Sequence, residues 1–285
     1  MQSSSLIPGT AWHGKLALTY RQQGSKTVPV VQTQAPLKVQ RPFYPEGESV
    51  CHSVVLHTAG GMVGGDRLSY AIVVEPGAHA WVTTTAAAKI YGDHPHQRPA
   101  IVVGTVQVAT GACLEWLPQE SIVFSGAHYH QHWRIDLAPG AHWLGWDILR
   151  LGRTAHGEKF LAGEVRSRFE VFQNQRSVWV DPQWLLGDER TWSGVHGLHQ
   201  CPVIGTLAYV GQPVPVEWVA AARDCWPAAR RHPGEAGVTR LQAGLLCRYR
   251  GHSTQDARRW FEAVWHQLRP HYAQRPALRS RLWQR

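Results

Sequence analysis

The chain has 285 residues, of which 44% are hydrophobic and 17% charged, and a formal net charge of +9. That length suits one large domain, and that balance builds a sizeable core and excludes a disordered chain. Five widely separated cysteines (Cys51, Cys113, Cys201, Cys225, Cys247) without a C-x-x-C pair exclude a disulfide framework, and no stretch approaches the apolar length of a membrane span.

The first residues, MQSSSLIPGTAWHGKLAL, lack the basic start and long apolar run of a secretory signal, so a cytoplasmic protein is expected, with residues 1–11 a flexible N-terminus. From there the chain reads as β. KLALTYRQ, KTVPVVQTQ, SVVLH, RLSYAIVVE, AIVVGTVQVA and HWRIDLA are short, alternating or β-branched runs punctuated by Gly and Pro. One shape recurs. VVEPGAHAWV (73–82), QVATGACLEW (107–116) and DLAPGAHWLG (136–145) each end a strand, turn at Gly-Ala and start a new apolar strand. A repeated strand-corner-strand unit points to stacked sheets or a solenoid-like coil of strands. Two helices are expected late in the chain. PVEWVAAARDCW begins with Pro215, a good first helical position. STQDARRWFEAVWHQLRP has Ser253 as a cap, Asp256 three residues on, and an apolar stripe of Trp260, Phe261, Val264, Trp265 and Leu268; Pro270 is expected to stop it. The fold class is mainly β, with many short strands in a stacked, β-helix-like or sandwich arrangement and about two α-helices in the C-terminal half. Nothing divides residues 1–285 into more than one domain.

The basic excess collects late, in RRH (230–232), CRYRGH (247–252) and RSRLWQR (279–285), but no nucleic-acid-binding motif accompanies it, so a nucleic acid partner is not expected. HTAGGMVGGDRL (57–68) places Gly60, Gly61, Gly64 and Gly65 around one acid, Asp66. No Lys follows the last glycine and a strand comes next, so this is not a phosphate loop. A tight loop that delivers the Asp66 carboxylate is the better reading, beside the plainer one of an Asp that bonds turn amides. HYHQH would align His128, His130 and His132 on one strand face, and DHPH adds Asp93, His94 and His96. Imidazole suits nickel, copper or zinc, while a polar solvated face is the alternative. Acids also sit within apolar runs: Asp147 in HWLGWDILR, on the strand face of Trp143, Gly145 and Leu149; Asp181 in SVWVDPQWLL; Glu115 and Glu120 in CLEWLPQES. A buried carboxylate is costly unless paired or bound to a metal, so these are functional candidates, with a paired structural acid the competing reading. No nucleophile constellation is present, and no enzyme is expected.

LKVQRPFYPEG (37–47), CHSVVLHTAGGMVGGDRL (51–68), EPGAHAWVTTTAAAKIYG (75–92), GACLEWLPQESIVFSGA (111–127), GWDILRLGR (145–153), GVTRLQAGLLCRYRG (237–251) and LRPHYAQRPALRSRLW (268–283) resemble the urease accessory protein family UreD, also called UreH. The likeness runs from about residue 12 to the end. It implies a mostly β scaffold in urease maturation. Such a protein binds urease accessory protein F, through F the GTPase accessory protein G, and the urease apoprotein. It implies a non-catalytic chain that holds nickel only transiently and conducts it through a tunnel, with Asp147 and Asp181 at acidic positions of the family pattern; Asp66 is expected as a further tunnel acid, and Glu115 and Glu120, from their place in an apolar run, as additional tunnel candidates. The segments DHPH and HYHQH fall outside the family motifs, which keeps open a stand-alone nickel-binding or storage protein as the alternative.

Overall fold

The computed structural model describes residues 11–94, 96–226 and 233–283. Strands β1 (His13–Gln23) and β2 (Lys26–Gln34) form a hairpin, followed by the short β3 (Leu37–Val39). The chain then coils, passing alternately through two sheets. β4 (Val50–His57) is followed by β5 (Arg67–Val74). Next, β6 (His79–Thr84), with β7 (Ala88–Ile90), is followed by β8 (Ala100–Val108). Then β9 (Cys113–Trp116), with β10 (Ser121–Val123), is followed by β11 (His128–Leu137), and β12 (His142–Leu151) by β13 (Glu164–Gln173). β4, β6, β9 and β12 are parallel neighbours in one sheet, and β5, β8, β11 and β13 in the other. The coil ends when β14 (Arg176–Leu186) returns antiparallel on β13.

The repeated corner is what makes the coil. Gly77, Gly111 and Gly140 have φ of 72°, 66° and 69°, the left-handed conformation that glycine adopts without steric cost. The alanine after each is fully buried. Successive corners are bonded to each other: Cys113 N–H donates to Ala78 O and His142 N–H to Ala112 O, each at 3.0 Å. The strands are therefore turns of a β-helix-like coil rather than of a sandwich built from hairpins.

The rest of the chain widens and covers one sheet. Helix α1 (Glu189–Ser193) leads to β15 (Val203–Val210), then α2 (Val216–Asp224), β16 (Gly234–Leu241), β17 (Gly244–Gly251) and α3 (Thr254–Ala273). β15, β17 and β16 add antiparallel to β12. One core lies between the two sheets, with Leu16, Ile72, Val106, Leu114, Ile135 and Val171 inside it. A second lies between the β12 sheet and the helices, built on Trp81, Trp146, Trp260, Phe261 and Trp265. Tryptophans serve both cores; in the second, Trp283 packs against Trp81, Trp146 and Trp265, and its indole N–H donates to Thr83 Oγ1. Among the described residues no helix is long and apolar enough to cross a membrane.

Two helix boundaries differ from expectation. Pro215 is the residue before α2 rather than its first helical residue. Pro270 does not stop α3, which runs on to Ala273 and ends at Gln274 with φ 53°. A proline this close to the C-terminus removes one helical hydrogen bond. Flanking contacts hold the last turn: Arg269 is bonded to Glu46 and Glu115, and Tyr272 Oη to Glu115 Oε1. Ser253 Oγ accepts from Asp256 N–H at 3.1 Å as its cap role requires. The basic segment 230–232 and residues 1–10 of the expected flexible start at 1–11 lie outside the described residues.

Candidate functional site

The glycine loop bends against the chain's own backbone. Met62 N–H donates to Lys89 O, and Tyr91 N–H to Met62 O, both at 2.8 Å. A Cβ on Gly61 would lie 2.6 Å from Lys89 O, and one on Gly64 would lie 2.4 Å from Arg98 O. Gly65 has φ 95°, while nothing crowds Gly60. Asp66 fastens the loop: its Oδ1 accepts from Trp12 N–H at 2.8 Å and its Oδ2 from Val63 N–H at 2.9 Å.

Gly60 and Gly61 also line a cavity of about 290 Å³ that enters between the two sheets. His57 and residues 84–89, which are partly exposed, line its outer part; Tyr129, Gln131 and Asp147 are polar groups of its lining, among apolar walls that include Ile90, Trp133 and Phe169. Burial depresses the His57 pKa, against the opposing pull of the Asp66 charge, so the neutral imidazole is favoured there. Burial pushes Asp147 up to about 6, the Asp181 charge adds to the rise, and the Gln131 hydrogen bond works against it. Asp147 lines this cavity.

Beyond Asp147 the register of the strands lays out two polar rows. Gln131, Ser167 and Gln183 are partners across β11, β13 and β14. Asp147, Thr206 and Arg248 are partners across β12, β15 and β17. The rows face each other through the interior. Gln131 Nε2 donates to Asp147 Oδ2 at 2.6 Å and to Ser167 Oγ at 3.0 Å. Gln183 Nε2 donates to Asp181 Oδ2 at 3.0 Å and to Thr206 Oγ1 at 3.3 Å. Between Asp147 and Asp181 lies a separate, much smaller space of about 10 Å³, which shares Asp147, Trp146 and Phe169 with the cavity. At the far end Arg248 bonds both Asp181 oxygens, with Nη1 2.9 Å from Oδ2, and Nη1 also donates to Thr206 Oγ1 at 2.7 Å.

The other candidates lie elsewhere. Glu115 is fully buried beneath α3, on the opposite face of its sheet from the cavity. There it accepts from Arg269 Nε (2.9 Å) and Trp265 Nε1 (2.7 Å) and pairs with His79. Burial alone would raise its pKa, but the His79 hydrogen bond and the Arg269 charge hold it well below the usual range. Glu120 pairs with Arg258 of α3. Asp93 binds the Arg98 side chain at 2.9 Å, and His94 and His96 are exposed. His128, His130 and His132 do share a face, the outward one. His130 Nε2 lies 2.7 Å from Glu164, His132 Nε2 lies 2.7 Å from Glu170, and His128 is near Glu164 as well. Among the described residues no three His, Cys, Asp or Glu side chains are grouped to hold a metal ion.

Tyr129, Gln131, Ser167, Gln183, Thr206 and Arg248 were not singled out by the sequence. Part of the signal was present, because the alternation that sends the HYHQH histidines outward sends Tyr129 and Gln131 inward. The molecule is thus a coil of parallel strands with facing rows of polar side chains between its sheets. It belongs to the UreD urease accessory protein family, whose model matches residues 13–284. Curated relatives agree over nearly the whole length. The Nostoc sp. protein named urease accessory protein UreD is 48% identical over 284 residues, covering 99% of each chain. The protein of that name from Nostoc punctiforme is 52% identical over 274 residues, covering 96% of each, and the one from Thermosynechococcus vestitus is 46% identical over 276 residues, covering 96% and 99%. The chain's role is that of a urease accessory protein.

Proposed function

We propose that this chain is a non-catalytic scaffold of urease maturation, which docks on the urease apoprotein together with accessory protein F and, through F, the GTPase accessory protein G, and conducts nickel ions toward the urease active site. The observation that carries the reading is the polar path: a cavity opening at the glycine loop leads to Asp147 and then, across facing rows of amide and hydroxyl groups, to Asp181. Oxygen donors hold a borderline divalent cation less tightly than a histidine and thiolate set, and a conduit must release what it admits. Asp147 and Asp181 act as successive oxygen contacts for the ion. Asp66 shapes the entry by fixing the glycine loop. The ion is cargo and stays with no single site.

The test is nickel per active site in urease purified from cells with and without this chain, all other accessory proteins present. Occupancy should collapse without it. With Asp147→Ala, Asp181→Ala or Asp66→Ala, nickel delivery should fall while the complexes still assemble. Full urease activation by all three variants would overturn the conduction reading.

A further inference from the structure

Among the described residues, Arg269, Arg248 and Arg279 engage buried carboxylates, Arg279 through Glu262 at the edge of α3, and the settings of Arg269 and Arg248 are opposite. Arg269 is 0% exposed and locked between Glu46, Glu115 and the Pro276 carbonyl. Arg248 reaches Asp181, whose side chain is only 5% exposed, from a position 42% exposed. Its partners are Asp181 and Thr206, and its guanidinium closes the outer end of the polar row, with both Asp181 oxygens taken. An ion pair with one partner this exposed is weakened by solvent, so detaching the guanidinium costs far less than it would at Arg269.

Inside that end, the gap between Asp147 and Asp181 is about 10 Å³. A single water needs roughly 10–15 Å³ of such space, so a hydrated cation does not fit. An ion crossing there must shed water and take Asp147, Asp181 and the neighbouring hydroxyl and amide oxygens in its place. Asp181 can serve only if its oxygens are free. A divalent cation and a guanidinium also repel each other at contact distance, so the two compete for one carboxylate.

We propose that Arg248 is a built-in plug: its guanidinium occupies the place at Asp181 that a travelling divalent cation needs, and the row admits the ion only when Arg248 swings into solvent. This rests on the conduction reading above and adds its control. With the plug seated, the path holds no cation; with it withdrawn, Asp147 and Asp181 face each other as an uncompensated pair and attract one.

The experiment uses the full chain purified with its urease partners, and equilibrium dialysis against Ni²⁺ alone. Arg248→Met should raise the retained nickel, with affinity increased about tenfold or more, because the fraction of molecules with Asp181 free no longer limits binding. Asp181→Asn added to Arg248→Met should return retention to the original level. Unchanged nickel retention in Arg248→Met, with only a lowered melting temperature, would show an ordinary structural ion pair and overturn the plug. If Arg248→Met does not fold, Arg248→Lys decides: its single ammonium cannot cover both Asp181 oxygens, so retention should rise several-fold, and retention equal to the original overturns the proposal. The two readings fail separately. If Asp147→Ala and Asp181→Ala leave urease nickel occupancy unchanged, conduction falls and the plug with it. If they lower occupancy while Arg248→Met leaves Ni²⁺ retention unchanged, the plug alone falls.

Discussion

Asp147 is the residue on which the proposed conduction leans most. Its carboxyl sits between sheets, bonded by Gln131 and near a second acid, with its pKa pushed up to about 6. An ordinary Asp titrates near 3.9, so between about pH 4 and 6 the folded chain keeps a proton that the unfolded chain has lost. Stability therefore falls as pH rises through that window, by as much as about 3 kcal/mol, and the loss is complete above it. Asp147→Asn keeps an acceptor for Gln131 and has no charge to bury. Urea denaturation at a series of pH values should show this variant gaining on the parent from about pH 4 to 6 and remaining more stable at neutral pH. A constant difference across that window would mean that Asp147 ionises as freely in the folded chain as in the unfolded one. Gly61 is the second instructive residue. Its missing side chain lets Lys89 O approach, so Gly61→Ala should force the loop and the mouth strand apart, cost about 1–3 kcal/mol in denaturant unfolding, and reduce urease activation.

Among the elements, α3 depends most on a buried charge. Its apolar stripe packs as the sequence predicts, but Arg269 on the same helix enters the second core to meet Glu115 and Glu46. Such a group is stabilising only while its partners are present. Arg269→Met should destabilise the chain by about 3–5 kcal/mol, because two glutamates lose their buried counter-charge. The pair Glu115→Gln and Arg269→Met should lose less than the sum of the single changes, measured by a double-mutant cycle in chemical denaturation. Burial works to raise both glutamates, and their His and Arg partners overcome it, leaving each pKa below its ordinary value. Their contribution is thus complete above the ordinary glutamate range and is lost as pH falls. This is the opposite sign to Asp147. The helix also covers the face of β12 that points away from Asp147, so the sheet carries apolar packing on one side and the polar row on the other.

Over the whole molecule, the coil converts sequence neighbours into distant layers. Gln131 and Asp147 lie on the strands before and after one corner and meet across the interior. Gln183, Thr206 and Arg248 arrive from three later segments and extend the same row outward. The proposed conduction therefore rests on two sheets held in register. A bulky side chain at the mouth should stop it without disturbing the rest. Ala87, half-buried at the cavity entrance, is the position to fill. Ala87→Trp should leave complex formation with the urease partners intact, as read by co-purification, and lower nickel per urease active site severalfold. Normal occupancy in that variant would place the ion's route elsewhere.

The sequence by itself determined the β class, the corner at Gly77, Gly111 and Gly140, the capped amphipathic helix and the family resemblance, because each is written in local spacing or in a contiguous motif. It also marked Asp147 and Asp181, since an acid within an apolar strand is conspicuous wherever the strand lies. Only the tertiary structure decided which acids share a path. Glu115 and Asp147 read alike as isolated carboxylates, yet one is neutralised beneath a helix by Arg269, 154 residues away along the chain, and the other faces the cavity. The same holds for Pro270, kept within α3 by long-range bonds on either side of it, and for Arg248, whose partner Asp181 is 67 residues distant. Strand register between coils is set by the stacking of the corners, and a linear reading of residues contains no measure of that stacking.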